Sequence, residues 1–208
     1  MNSQALVVCN GEPPTKKLAR SLASHASLVV AADGGANTCK ALGLTPNIIL
    51  GDLDSVKPST LRYFTKAEVI RVRRQDNTDL EKVLDELLKR KIMDVDILAA
   101  IGKRLDFTLG NLSIVWKYTL RMNIAFHGDS FLAVPIDGRL SMKAKRGTTI
   151  SLLPFGHCGG ITLRGLRYPL TNASMRVGDI GVSNVVKKSP FNISVKRGKM
   201  LLIVARDS

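Results

Sequence analysis

Over the first 122 residues, short apolar runs alternate with stretches of helical periodicity. Runs at Ala5–Cys9, Leu28–Ala32, Asn47–Leu50, Glu68–Val72 and Val95–Ile101 are bounded by turn residues and predict strands. Between them, Thr15–Ala23, a segment ending near Gly43, and Ser59–Thr65 predict helices. Thr78–Arg90 places Leu80, Val83, Leu84, Leu87 and Leu88 on one helix face. A last helix is expected to run to about Arg121, with Leu105, Leu109, Leu112 and Trp116 along one face and Trp116 in the core. Such strand–helix repetition predicts an α/β N-terminal domain: a mostly parallel sheet flanked by helices, with its ligand site at the carboxyl ends of the strands.

From Asn123 the pattern shortens. Runs at Ile124–His127, Phe131–Ile136, Leu140–Met142, Thr148–Leu153, Gly160–Leu163, Phe191–Val195 and Met200–Val204 are separated by Gly, Asp, Asn and Pro. This spacing predicts an all-β sandwich or small barrel. The expected division is therefore residues 1–122 and 123–208.

Composition narrows the class. The 208 residues are 45% hydrophobic, and no apolar run approaches the roughly 20 residues that span a bilayer. The first residues lack a basic leader and a cleavage pattern, so a cytoplasmic protein with no membrane partner is expected. Cys9, Cys39 and Cys158 are odd in number and far apart, which suits buried thiols in a reducing compartment. A net charge of +14 fits nucleic acid or an anionic substrate. Only 5% of residues are aromatic, and no basic strand carries them, so a nucleic-acid partner is disfavoured.

The acidic residues carry the chemistry. Gly51-Asp52-Leu53-Asp54-Ser55 follows a predicted strand, and carboxylates at i and i+2 of an extended segment point the same way. Their repulsion calls for a hard cation such as Mg²⁺. Gln75-Asp76-Asn77-Thr78-Asp79 repeats the theme at the start of a helix, with Asn77 or Thr78 as its cap. Asp33, Asp52, Asp54, Asp76, Arg104 and Asp106 each follow a predicted strand and would converge on one crevice. Mg²⁺ on carboxylates commonly shares its shell with phosphates, which points to a nucleotide-handling enzyme. The competing structural reading makes these acids helix caps, Asp79 and Lys82 a surface ion pair, and the Gly34-Gly35 turn a plain tight turn.

The ordered motifs resemble the thiamine pyrophosphokinase family. Asp33-Gly34-Gly35-Ala36-Asn37, Gly51-Asp52-Leu53-Asp54-Ser55, Gln75-Asp76-Asn77-Thr78-Asp79 through Lys82, and Gly102-Lys103-Arg104-Leu105-Asp106-Phe107 with Asn111 match its first part. Gly165-Leu166-Arg167-Tyr168-Pro169-Leu170 and Ser183-Asn184 match its second. Two departures stand out: Lys103 replaces a glycine, and Phe107 a histidine.

The resemblance implies pyrophosphoryl transfer from ATP to thiamine by a homodimer, with thiamine held where the catalytic domain of one subunit meets the β domain of the other. It implies Mg²⁺ on Asp52, Asp54 and Asp79, with Asp79 or Asp54 as an alternative proton acceptor, and Lys82 and Arg104 on the phosphates. Asp33, Gly34, Gly35, Asn37, Gln75, Asp76, Asp106 and Asn111 would serve the nucleotide, and Gln75, Ser183 and Asn184 the thiamine. A pyrophosphokinase for another small alcohol, such as a pterin, and a nucleic-acid binder on the same scaffold are the alternatives.

Overall fold

Among the described residues six runs, the inner ones buried along most of their length and the edge strand β4 largely exposed, build a parallel sheet: β1 (Gln4–Val8), β2 (Leu28–Ala32), β3 (Ile48–Gly51), β4 (Glu68–Arg71), β5 (Asp94–Leu98) and β6 (Asn123–Gly128). The computed structural model describes residues 3–73, 77–179 and 181–206. Its two compact units are Met1–Asp129 and Ser130–Ser208.

Within the first unit the strand order is β4-β3-β2-β1-β5-β6, every pair parallel. The chain starts in the middle, steps outward to β4, then returns to the other side of β1 as β5. Connections therefore diverge between β1 and β5, and a crevice opens there at the carboxyl ends. Strand β6 was expected to open the second domain. It instead pairs with β5 in register Val95↔Ile124, so the first unit extends beyond residue 122.

Among the described residues five helices connect these strands: α1 (Lys16–Ala23), α2 (Gly35–Leu42), α3 (Pro58–Tyr63), α4 (Asp79–Lys89) and α5 (Leu105–Ile114). On α4, Leu80, Val83, Leu84 and Leu87 are at most 2% exposed, as their spacing predicts. Helix α2 ends at Gly43 with φ 72°, a left-handed stop that suits glycine. Helix α5 departs from expectation. It ends at Ile114 and passes into a 3-10 turn, Val115–Lys117, instead of reaching Arg121. Its apolar face is open at the start, where Leu105 is 73% and Leu109 56% exposed, and half-buried at Leu112 and Trp116. The inward residue is Asn111, whose side-chain amide donates to the Ala100 carbonyl at 2.8 Å. A polar anchor thus sets the rotation of the helix that an apolar stripe was expected to set.

The second unit is antiparallel: β7 (Phe131–Ile136), β8 (Arg139–Met142), β9 (Thr149–Arg164), β10 (Leu170–Met175), β11 (Asn184–Val185), β12 (Phe191–Ser194) and β13 (Arg197–Ala205). Strand β9 joins two expected runs and pairs with β10, β11, β12 and β13. Ile150, Leu152, Ile161, Phe191, Met200 and Leu202 fill its core. Strands β10 and β11 carry little apolar patterning, since β10 reads Leu-Thr-Asn-Ala-Ser-Met, and the sequence pattern missed them.

Candidate active site

A pocket of about 500 Å³ occupies the crevice at the carboxyl ends of the sheet in the first unit. One wall is acidic. Asp33 follows β2 directly, and its backbone N–H is held by the Leu50 carbonyl at 2.8 Å. Its side chain comes so close to β3 that a Cβ on Gly51 would lie 2.7 Å from the Asp33 Cβ. Glycine opens this motif because only a bare backbone leaves room for that carboxylate.

Asp52 and Asp54 converge by a different route from the one expected. Leu53 between them has φ 69°, and the Asp54 N–H donates to Asp52 Oδ1 at 3.2 Å. A tight turn therefore brings the two carboxylates together, where extended alternation was expected. One oxygen from each of Asp33, Asp52 and Asp54 lies within 4.8 Å of the others. Ser55 secures the group: its N–H reaches Asp33 Oδ2 at 3.3 Å, and its hydroxyl donates to Asp54 Oδ1 at 2.8 Å. Asp33 is 3% exposed, and its Oδ1 has no hydrogen-bond partner among the described residues. A buried, unsatisfied carboxylate oxygen among two more carboxylates is costly unless a cation joins them. An all-oxygen donor set suits a hard divalent ion.

Asp79 stands beside this trio and is engaged elsewhere. Thr78 caps α4 by accepting the Glu81 N–H at 3.2 Å, which puts Asp79 in the first helical turn. Lys82, one turn on, donates to Asp79 Oδ1 at 2.9 Å and lies 3.6 Å from Asp52 Oδ2. The Lys82 residue is only 7% exposed, so this is an interior charge bridge and not the surface pair of the structural reading. Burial raises the Asp79 carboxyl above its usual value despite Lys82. For Lys82, burial works against the charge, and the contacts with Asp79 and Asp52 outweigh it, so the ammonium is held above its ordinary range. Asp33 is likewise raised by burial, with bonds from Ser55 and Gly34 opposing and Asp52 and Asp54 reinforcing.

The opposite wall comes from the loop after β5 and is basic and open. Arg104 forks onto Asp106 through Nε and Nη2, and its guanidinium lies 4.3 Å from the centre of the Phe107 ring. This pairing raises the Arg104 and lowers the Asp106 ionisation. Asp106 is thus a holder of Arg104, and Phe107 its platform. Asn111 lines the pocket floor.

Several residues assigned to the nucleotide from the sequence sit elsewhere. A Cβ on Gly35 would overlap the Val8 carbonyl oxygen, and one on Gly34 the Asn10 side chain. These glycines let α2 approach β1, and of the two only Gly34 lines the pocket. Asn37 donates to the Ser55 carbonyl at 2.8 Å and accepts the Lys57 N–H at 3.1 Å, bracing the Asp52–Ser55 turn from behind. Gln75 and Asp76 lie outside the described residues. In the second unit, Asn184 spends both ends of its amide on Tyr168, at 3.0 Å to the N–H and 2.8 Å to the carbonyl. Ser183 is left-handed at φ 61°. Sequence reasoning missed the loop Cys9-Asn10-Gly11, which lines the pocket after β1 and runs hydrogen-bonded beside the segment after β5. Its signal, a strand end followed by Asn-Gly, acquires meaning only once the strand order is known.

Residues 19–126 match the family model described as thiamin pyrophosphokinase, catalytic domain, and residues 139–200 the model described as thiamin pyrophosphokinase, vitamin B1 binding domain. The chain is 30% identical to thiamine pyrophosphokinase 1 of Arabidopsis thaliana over 91% of its own length and 81% of the relative's. It is 26% identical to the thiamine pyrophosphokinase of Bacillus subtilis over 87% of its length and 88% of the relative's. The fold is that of the crystal structure of the Bacillus subtilis thiamine pyrophosphokinase, with TM-score 0.86, 24% identity and coverage of 99% and 100% of the two chains. It is also that of the thiamin pyrophosphokinase from Candida albicans, with TM-score 0.85, 19% identity and coverage of 99% and 90%. With both of its parts matched by that family's models, the chain belongs to the thiamin pyrophosphokinase family.

Proposed function

We propose that the chain transfers the pyrophosphoryl group of ATP to the hydroxyl of thiamine, giving thiamine diphosphate and AMP. The observation that carries this reading is the carboxylate trio facing a buried Lys82 at the carboxyl ends of the sheet, in a chain of this family.

Asp33, Asp52 and Asp54 fit Mg²⁺, which, when bound, would neutralise and orient the phosphate oxygens. Relative to the sequence reading, Asp33 takes the ligand place given to Asp79. Asp79, outside the trio and raised by burial, is suited to accept the thiamine hydroxyl proton. The new bond forms between the hydroxyl oxygen and the β-phosphorus of ATP, and the bond from that phosphorus to the α-side bridging oxygen breaks, releasing AMP. Lys82 keeps Asp79 aimed and compensates charge growing on the transferred group. Arg104, pre-oriented by Asp106, holds two phosphate oxygens at once. Asn111 and Gly34 shape the nucleotide side, with Gln75 and Asp76 assigned near it by the family motif. Ser183 and Asn184 serve the aminopyrimidine of thiamine, Asn184 chiefly by fixing the backbone at Tyr168.

We read the second unit as the thiamine-side β-sandwich and the enzyme as a homodimer, since Leu105 and Leu109 leave apolar area on α5 that a second copy would cover. Three free, buried cysteines suit a cytoplasmic setting. No described helix is long and apolar enough to cross a membrane.

Incubation of the purified protein with ATP, Mg²⁺ and thiamine tests the reading. Equal amounts of thiamine diphosphate and AMP are expected. Formation of ADP would overturn the pyrophosphoryl assignment, and turnover of a pterin alcohol with none of thiamine would overturn the acceptor.

A further inference from the structure

Lys103 stands where the family pattern has glycine, and its backbone shows why glycine is at home there: φ is 55°, directly after Gly102 at 91°. A side chain in the left-handed region is disfavoured, most of all for a residue without a short polar group to bond locally. Its Nζ reaches from the loop after β5 to the adjoining loop after β1 and donates to the Asn10 carbonyl at 3.0 Å. The pocket wall holds two other cations, and both are matched by carboxylates: Lys82 by Asp79 and Asp52, Arg104 by Asp106. Lys103 forms no ion pair among the described residues. Its one described partner is a neutral carbonyl at the pocket mouth.

Resting on the pyrophosphokinase reading, we propose that Lys103 is an additional binding residue for the polyphosphate chain of the nucleoside triphosphate. Its ammonium leaves Asn10 for a phosphate oxygen when nucleotide enters. An exchange of a neutral acceptor for an anionic one strengthens the bond, whereas Lys82 and Arg104 must share their charge with the protein's own acids.

The test is calorimetric binding of a non-hydrolysable ATP analogue with Mg²⁺ to wild type, Lys103→Gly and Lys103→Arg, beside steady-state kinetics. Lys103→Gly should bind nucleotide about tenfold more weakly. Its KM for thiamine should stay at the wild-type value and its melting temperature equal or exceed it, because glycine relieves the left-handed backbone. Lys103→Arg should bind the analogue nearly as wild type does. Unchanged binding by Lys103→Gly overturns the inference, and so does a lowered melting temperature with unchanged binding, which would make Lys103 a clip on Asn10. A wild type that binds the analogue in a Lys103-dependent manner but forms no thiamine diphosphate would overturn the catalytic reading and uphold this one. A wild type that binds no nucleotide would overturn both.

Discussion

The two walls of the pocket are built on opposite principles. The acidic wall is locked around one buried carboxylate, with Asp52 half-buried and Asp54 exposed: Asp33 fits against Gly51, Ser55 ties Asp33 to Asp54, and Asn37 braces the turn. The basic wall is exposed: Arg104 rests on the Asp106 and Phe107 side chains, and Lys103 on the Asn10 backbone carbonyl. Like charges resist crowding, so bringing three carboxylates within 4.8 Å requires a rigid frame and leaves a deficit that a cation would fill. Opposite charges need no such frame and can trade partners when phosphates arrive. The acidic side is preorganised and the basic side adjusts.

Substitutions should separate the two walls, and the acidic wall should respond most. Asp54→Asn is expected to lower kcat by about a hundredfold or more with the thermal melt little changed, since one metal-facing charge is lost from an exposed turn. Near-normal turnover would remove Asp54 from the metal site. Gly35→Ala comes next, on stability: its methyl would overlap the Val8 carbonyl, so a loss of about 3 kcal/mol and a melting point lower by roughly 10 °C are expected. An unchanged melt would mean that α2 can move off β1.

Asp33→Asn should split activity from stability. The folded protein binds the Asp33 proton more tightly than the unfolded chain does, because burial raises its carboxyl. Ionised Asp33 therefore weakens the metal-free fold at neutral pH, and this penalty disappears as pH falls through the raised value towards about 4. Without divalent ion at pH 7, the variant should melt a few degrees above wild type and be inactive, with the difference closing in acid. A lower melt at pH 7 would contradict the buried charge deficit. The smallest effect belongs to the basic wall. Asp106→Asn should raise the KM for ATP only about threefold, because an exposed pair orients Arg104 without fixing it. A hundredfold loss would place Asp106 on the reacting groups.

Much of this was legible in the chain. The alternation of apolar runs and helical faces marks five of the six parallel strands, with β6 read into the second domain, and the acids after them mark the crevice, because strand ends and helix starts are local features. The grouping of the acids was not. Asp52 and Asp79 lie close to Lys82, while Asp33 joins Asp52 and Asp54 only because β2 and β3 are neighbours and Gly51 lacks a side chain. Helix α5 misled because an apolar stripe does not reveal which face a neighbouring carbonyl will claim, here Ala100 bonding Asn111. Lys103 was visible as a departure, but its left-handed backbone and its reach to Asn10 depend on the pairing of β1 with β5, which sets their loops side by side.

The central claim is that Asp33, Asp52 and Asp54 form the divalent-ion site and that Asp79 belongs to Lys82. Titration with Mn²⁺ followed by electron paramagnetic resonance, on wild type, Asp33→Asn, Asp54→Asn and Asp79→Asn, tests it directly. The account predicts that the first two variants lose most of the bound-ion signal while Asp79→Asn keeps the affinity within about threefold of wild type. Loss of ion binding in Asp79→Asn with retention in Asp33→Asn would contradict it.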